Sequence, residues 1–227
     1  MFDGHLRAPV ERAVKPIGDR LRRTRLSPDH LTIVGLVVAV GAAVAIGAGF
    51  LALGLLLVIL AALPDLLDGA LAKASNTSSQ RGAFFDSVID RVADSLLFGG
   101  VAWYFASEES AHMALLPMAV LAASSVISYQ RAKAESLGLS AKGGIMERAE
   151  RIILLCLGLL FPALLVPIMW LMLVLVCVTA VQRFVKVWKQ AAVAPVTAAR
   201  IELRRSRRQS RRAHRVARRR EFLRRQS

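Results

Sequence analysis

Cysteine and histidine are scarce in this 227-residue chain, and each scarcity excludes a class of chemistry. The two cysteines, Cys156 and Cys177, lie inside apolar runs, where a reduced thiol behaves as a small hydrophobe rather than as half of a disulfide. The four histidines are scattered and make no zinc-like cluster. Residues 1–25 are charged and interrupted by Pro9 and Pro16, so no cleavable signal peptide is expected there. Nor is a nucleic-acid partner expected, although the formal charge is +15. Thirteen arginines fall between Arg200 and Ser227, against Glu202 and Glu221, which leaves only +4 for the first 199 residues. A single aromatic, Phe222, stands among those arginines, so the tail lacks the stacking residues of a single-strand binder. It is expected to be disordered or partly helical and attracted to anionic headgroups, each charge contributing about 1 kcal/mol near the surface.

Apolar sequence, by contrast, is abundant. The chain is 55% hydrophobic with a mean hydropathy of +0.49, and its long apolar runs with short polar breaks predict an all-α, polytopic membrane protein. Residues 1–26 place Leu6, Val10, Val14, Ile17 and Leu21 at helical spacing among basic residues, the pattern of an amphipathic juxtamembrane helix. A catalytic domain of six transmembrane helices is expected over 27–190, followed by the Arg-rich tail at 191–227. The spans are predicted at about 30–49, 51–74, 82–106, 111–129, 151–165 and 167–188, the first opened by the Ser27-Pro28-Asp29 cap. Basic residues collect at both termini, around 73–81 and across 131–151. The positive-inside rule therefore puts both termini and these two loops on the cytoplasmic side of the cell membrane.

Into this apolar background the segment 65–90 inserts four carboxylates, Asp65, Asp68, Asp86 and Asp90. Each costs roughly 2.5–3.5 kcal/mol near the centre of a spanning helix, so four cost on the order of 10–14 kcal/mol unless they are paired. Asp65 and Asp68 are i, i+3 and Asp86 and Asp90 are i, i+4, so each pair projects from one helical face, and the loop between spans two and three folds the faces together. Oxygen ligands without His or Cys favour a hard cation, Mg²⁺ or Mn²⁺, and four suffice for two ions.

Asp65, Asp68, Gly69, Ala72, Gly82, Asp86 and Asp90 fall in register with D-x-x-D-G-x-x-A-R-x8-G-x3-D-x3-D. In this the chain resembles the CDP-alcohol phosphotransferases, membrane enzymes of phospholipid synthesis. Lys73 stands where that family has Arg, keeping the charge but not the fork that grips a phosphate bidentately. The segments LSPDHLT (26–32), SYQRAKAESLGL (128–139), GGIMERAERII (143–153) and VQRFVKVW (181–188) are similar to those of the actinobacterial phosphatidylinositol phosphate synthases. The resemblance implies that Asp65, Asp68 and Asp86 hold metal and that Asp90 is both ligand and general base. It also implies that Asp29, His30, Leu31, Thr32, Gly69, Lys73 and Ser79 contact a CDP-lipid, and that Ser128, Arg131, Arg151 and Arg183 hold the phosphate of the acceptor. The implied reaction passes a phosphatidyl group from CDP-diacylglycerol to an inositol phosphate, with two Mg²⁺ or Mn²⁺ ions and a homodimeric enzyme in contact with membrane lipid.

Two other readings stand beside it. Glycerol 3-phosphate could use the same anion pocket, and a divalent-cation transporter could use the same acids, though it leaves the glycine register unexplained. Asp94 extends the 86, 90 stripe and is expected in a supporting or Arg91-paired role rather than as a fifth ligand, and Glu147, Arg148 and Glu150 as a capping and ion-pair network.

Overall fold

The computed structural model describes residues 28–62 and 80–192, and within them every regular element is helical. The helices are α1 (Pro28–Gly47), α2 (Leu51–Ala62), α3 (Gln80–Glu108), α4 (Leu115–Ser136), α5 (Arg148–Leu160) and α6 (Leu165–Ala191), with 3₁₀ turns at Ala111–Ala114 and Pro162–Leu164. They lie in sequence where six spans are expected. By length and apolarity His30–Gly47, Ala111–Ser136 and Pro162–Ala191 are long and apolar enough to cross a membrane, and Leu51–Ala62 is a shorter apolar helix. The 29-residue α3 is long enough, but Asp86, Asp90, Arg91 and Asp94 interrupt its apolar run. The 13 residues of α5 span only about 20 Å at 1.5 Å per residue, short of a hydrocarbon core of about 30 Å. The fifth helix also breaks earlier than the predicted boundary near 165, because Pro162 opens a new turn there. The expected amphipathic helix at 1–26, Asp65, Asp68, Gly69, Lys73 and Ser79, and the tail from 193 onward lie outside the described residues.

Gly49 closes a tight, uncharged turn between α1 and α2. Its φ of +83° lets Phe50 N–H reach Ala45 O at 2.9 Å and Gly49 N–H reach Ile46 O at 3.0 Å, satisfying two carbonyls at the end of α1. Helix α3 packs along α1 and against α4, and α6 packs on α4 and α5. The core runs through Ala42 and Ile46 of α1, Phe98, Val101 and Phe105 of α3, Leu155 and Leu159 of α5, and Met169, Met172 and Val176 of α6. The opposite faces expose large apolar side chains such as Val37, Val44, Trp170, Val174 and Val181, as a lipid-facing surface does.

The segment between α4 and α5 is stitched to one stripe of α6. Thr179 Oγ1 accepts from Met146 N–H at 3.0 Å; Arg183 Nε donates to Gly143 O at 3.0 Å; and Gln190 donates to Ser140 O at 2.7 Å while accepting from Ser140 N–H at 3.1 Å. Positions 179, 183 and 190 share a helical face, so a periodic polar stripe on an otherwise apolar helix holds the loop that launches α5. Thr179→Val keeps the shape but leaves the buried Met146 N–H unsatisfied. It is expected to cost about 1–3 kcal/mol, whereas Gln190→Ala on the exposed rim is expected to cost about 1 kcal/mol or less. Thermal unfolding of the two variants in detergent measures the difference.

Candidate active site

Four helices, α1, α2, α3 and α5, meet at one cleft. Helical periodicity lines up Asp86, Asp90 and Asp94 along α3 at i, i+4 and i+8, with the first two half-buried and Asp94 buried. Thr32 of α1, Ala62 at the end of α2, Asp90 of α3 and Arg148 of α5 line this cleft. Of the residues expected to contact a CDP-lipid, Thr32 is buried in the wall of this cleft, Leu31 is half-buried and His30 is exposed on the first turn of α1. The Asp29 side chain, Asp65, Asp68, Gly69, Lys73 and Ser79 lie outside the described residues.

Asp90 meets a cation. Arg148 Nη1 lies 3.0 Å from Asp90 Oδ1, and Arg91 Nη2 lies 3.7 Å from Oδ2. The same Arg148 reaches Asp94 Oδ1 through Nε at 3.3 Å, so one guanidinium spans two carboxylates a turn apart. Asp94 Oδ2 takes Arg151 Nη2 at 2.7 Å, with Arg91 3.7 Å away. Both oxygens of Asp94 thus face arginines, as the supporting role requires and a fifth metal ligand does not. Asp86, in contrast, has no hydrogen bond or ion pair among the described residues. A half-buried carboxylate with no partner, thiol or imidazole beside it among the described residues, and one turn from a second carboxylate, is a donor set that fits a hard divalent cation. Among the described residues alone no group of three ligating side chains converges; the other two predicted ligands are in the segment 63–79.

The expected acceptor residues are placed on α4, α5 and α6. Arg151 is buried at 2% exposure, and its Nε has no hydrogen-bond partner among the described residues. Arg183, also buried, donates from Nε to Gly143 O, from Nη1 to Ile127 O at 3.3 Å and from Nη2 to Glu147 at 2.9 Å. Arg131 is exposed and pairs with Glu135 at 3.1 Å, one helical turn on. Ser128 donates to Ser124 O at 3.0 Å and accepts from Arg91. The network at the start of α5 is present as expected: Glu147 and Glu150 form a reciprocal capping box, with Glu147 N–H donating to Glu150 at 3.1 Å. Sequence reasoning missed the bridge from Arg148 to Asp90. Its only trace is that Arg148 and Arg151 recur at i, i+3, which puts two cations on one face of α5.

Comparison with known proteins gives the family and the fold. Residues 25–195 match the family described as CDP-alcohol phosphatidyltransferase. The phosphatidylinositol phosphate synthase of Mycobacterium marinum is 36% identical over 192 residues, covering 80% of this chain and 82% of that protein. The crystal structure of the Mycobacterium tuberculosis phosphatidylinositol phosphate synthase with CDP-DAG bound matches with a TM-score of 0.72 at 35% identity, covering 78% of this chain and 94% of that one. A second structure of that enzyme, in complex with manganese and citrate, matches with a TM-score of 0.71 at 34% identity, covering 77% and 88%.

Proposed function

This chain belongs to the CDP-alcohol phosphatidyltransferase family, and on that premise we propose that it transfers a phosphatidyl group from CDP-diacylglycerol to a hydroxyl of 1D-myo-inositol 3-phosphate, giving phosphatidylinositol phosphate and CMP. The observation that carries the acceptor reading is the unbroken chain of contacts from Asp90 through Arg148 and Asp94 to Arg151. It joins the candidate base to buried cations that suit a phosphate monoester. The relatives named above, phosphatidylinositol phosphate synthases over most of their length, favour inositol phosphate over glycerol 3-phosphate and leave no support for a cation transporter.

In this reading Asp65, Asp68, Asp86 and Asp90 hold two Mg²⁺ or Mn²⁺ ions, which when bound neutralise the CDP diphosphate and the charge gathering on CMP. Asp90 takes the proton of the attacking hydroxyl, whose oxygen forms a bond to the phosphorus bearing diacylglycerol as the bond from that phosphorus to the CMP oxygen breaks. Thr32, with Asp29, His30, Leu31, Gly69, Lys73 and Ser79, holds the CDP-lipid, and Ser128, Arg131, Arg151 and Arg183 hold the acceptor phosphate. The finer architecture follows the same reading. Six spans over 27–190 lie between an interfacial helix at 1–26 and the basic tail at 191–227. Both termini and the cleft face the cytoplasm, and the enzyme works as a homodimer in the cell membrane. A soluble phosphorylated acceptor and a lipid-anchored CDP group meet only at such a surface.

The deciding assay supplies purified protein in detergent with CDP-diacylglycerol, Mg²⁺ or Mn²⁺, and one labelled acceptor at a time. Turnover is expected with inositol phosphate and not with free inositol, which lacks the anion that the arginines address. Turnover with glycerol 3-phosphate alone would transfer the reading to the sister reaction, and none with either would end it.

A further inference from the structure

Asp94 is a carboxylate at 2% exposure inside an apolar helix bundle, and no step of the reaction above uses it directly. Stability is a weak reason for its presence, since a buried ion pair is often no better than well-packed apolar side chains of the same volume. Its geometry suggests another. Arg151 is buried to the same degree, and among the described residues Asp94 is the acceptor that fixes its guanidinium, at 2.7 Å, across 57 residues of chain. Arg151 Nε is left without a partner there. A buried guanidinium anchored through one nitrogen, with another left without a partner among the described residues, is held in one orientation. The second oxygen of Asp94 takes Arg148 Nε at 3.3 Å, and Arg148 Nη1 holds Asp90 at 3.0 Å. Asp94 therefore sits between the cation that addresses the acceptor and the carboxylate that takes its proton.

We propose that Asp94 is a positioning residue for the acceptor: by holding Arg151 directly, and Asp90 through Arg148, it sets the distance between the bound phosphate and the hydroxyl that reacts. The proposal rests on the reading of Arg151 as an acceptor contact under Proposed function. It predicts an asymmetric defect. Asp94 is not among the residues that line the cleft beside Thr32 of α1, so loss of the carboxylate should reach the acceptor more than the CDP-lipid.

The test uses the full chain in detergent with CDP-diacylglycerol and inositol phosphate, comparing wild type with Asp94→Asn, Asp94→Glu, Arg151→Gln and the Asp94→Asn/Arg151→Gln double variant. Asp94→Asn is expected to raise KM for the acceptor by about tenfold or more while KM for CDP-diacylglycerol changes by less than about twofold. Asp94→Glu should recover part of the acceptor KM. In the Arg151→Gln background the Asp94 change should add less than about twofold, because residues acting through one another are not additive. Equal rises in both KM values, or an undiminished Asp94→Asn effect without Arg151, would make Asp94 merely structural and overturn the proposal. Should Asp94→Asn fail to fold, Asp94→Glu carries the same test: a smaller rise in acceptor KM alone supports positioning, and its absence refutes it. Wild-type enzyme that does not use inositol phosphate at all fails the underlying reading instead. If that enzyme uses glycerol 3-phosphate, the Asp94 comparison is made on the KM of that acceptor.

Discussion

Asp90→Asn is expected to reduce phosphatidyl transfer by roughly 10²–10⁴-fold, the usual contribution of a positioned general base, without unfolding the protein. The side chains are nearly isosteric. An asparagine Oδ1 still accepts from Arg148 Nη1, which lies 3.0 Å from Asp90 Oδ1 in the wild-type protein, so α5 keeps its tie to α3. What disappears is the charge and the capacity to take a proton. The measurement is initial rate against CDP-diacylglycerol and inositol phosphate, with thermal unfolding in the same detergent as a check on folding. A variant that turns over within about tenfold of wild type would contradict the base assignment. A variant whose unfolding temperature also collapses would show that Asp90 is chiefly half of an ion pair with Arg148.

Gly100→Val should be as damaging to the fold as Asp90→Asn is to the chemistry. A Cβ built at Gly100 would lie 2.5 Å from Ala43 O and 2.8 Å from Ala43 Cα. Those are backbone atoms of α1 that no rotamer change can move. Overpacking a rigid contact costs about 1–3 kcal/mol and occasionally more. Here the strain would part the two helices that carry Thr32 and Asp90 into the cleft, so activity should fall along with stability. Alanine at the same position should show the same defect at smaller size. Gly99 is the internal control: nothing lies within 4 Å of a Cβ there, and Gly99→Ala should be neutral or slightly stabilising because alanine is the better helix former by about 1 kcal/mol. Thermal unfolding of the three variants tests the contrast, and a Gly100→Val protein as stable as Gly99→Ala would remove the close crossing from the account.

The glycines show where sequence reasoning stops. Gly35, Gly41 and Gly47 are the spaced set that suggests close packing in α1. Gly41 meets only an ordinary contact with Leu57, whereas Gly47 is pressed against the ring of Trp103 and Gly100 against the backbone of α1. Spacing along one helix says that a small face exists. Which glycine lies at the crossing depends on the position and angle of the partner, which no periodicity contains.

The same division runs through the site. By itself the sequence determined the helices and their approximate limits, the shared face of Asp86 and Asp90, the capping box at Glu147 and Glu150, and the family register, because each depends on neighbours within a few residues and on the 3.6-residue period. Only the tertiary structure decided that Arg148 closes on Asp90, that Arg151 is oriented by a buried Asp94, and that Arg183 is engaged by Glu147 and by the Gly143 and Ile127 carbonyls. Those pairings join residues from 36 positions apart, Arg183 with Glu147, to 58 apart, Arg148 with Asp90. With several arginines and several carboxylates at the ends of packed helices, many pairings have similar Coulomb energy. Helix rotation and crossing, set by apolar packing, select among them.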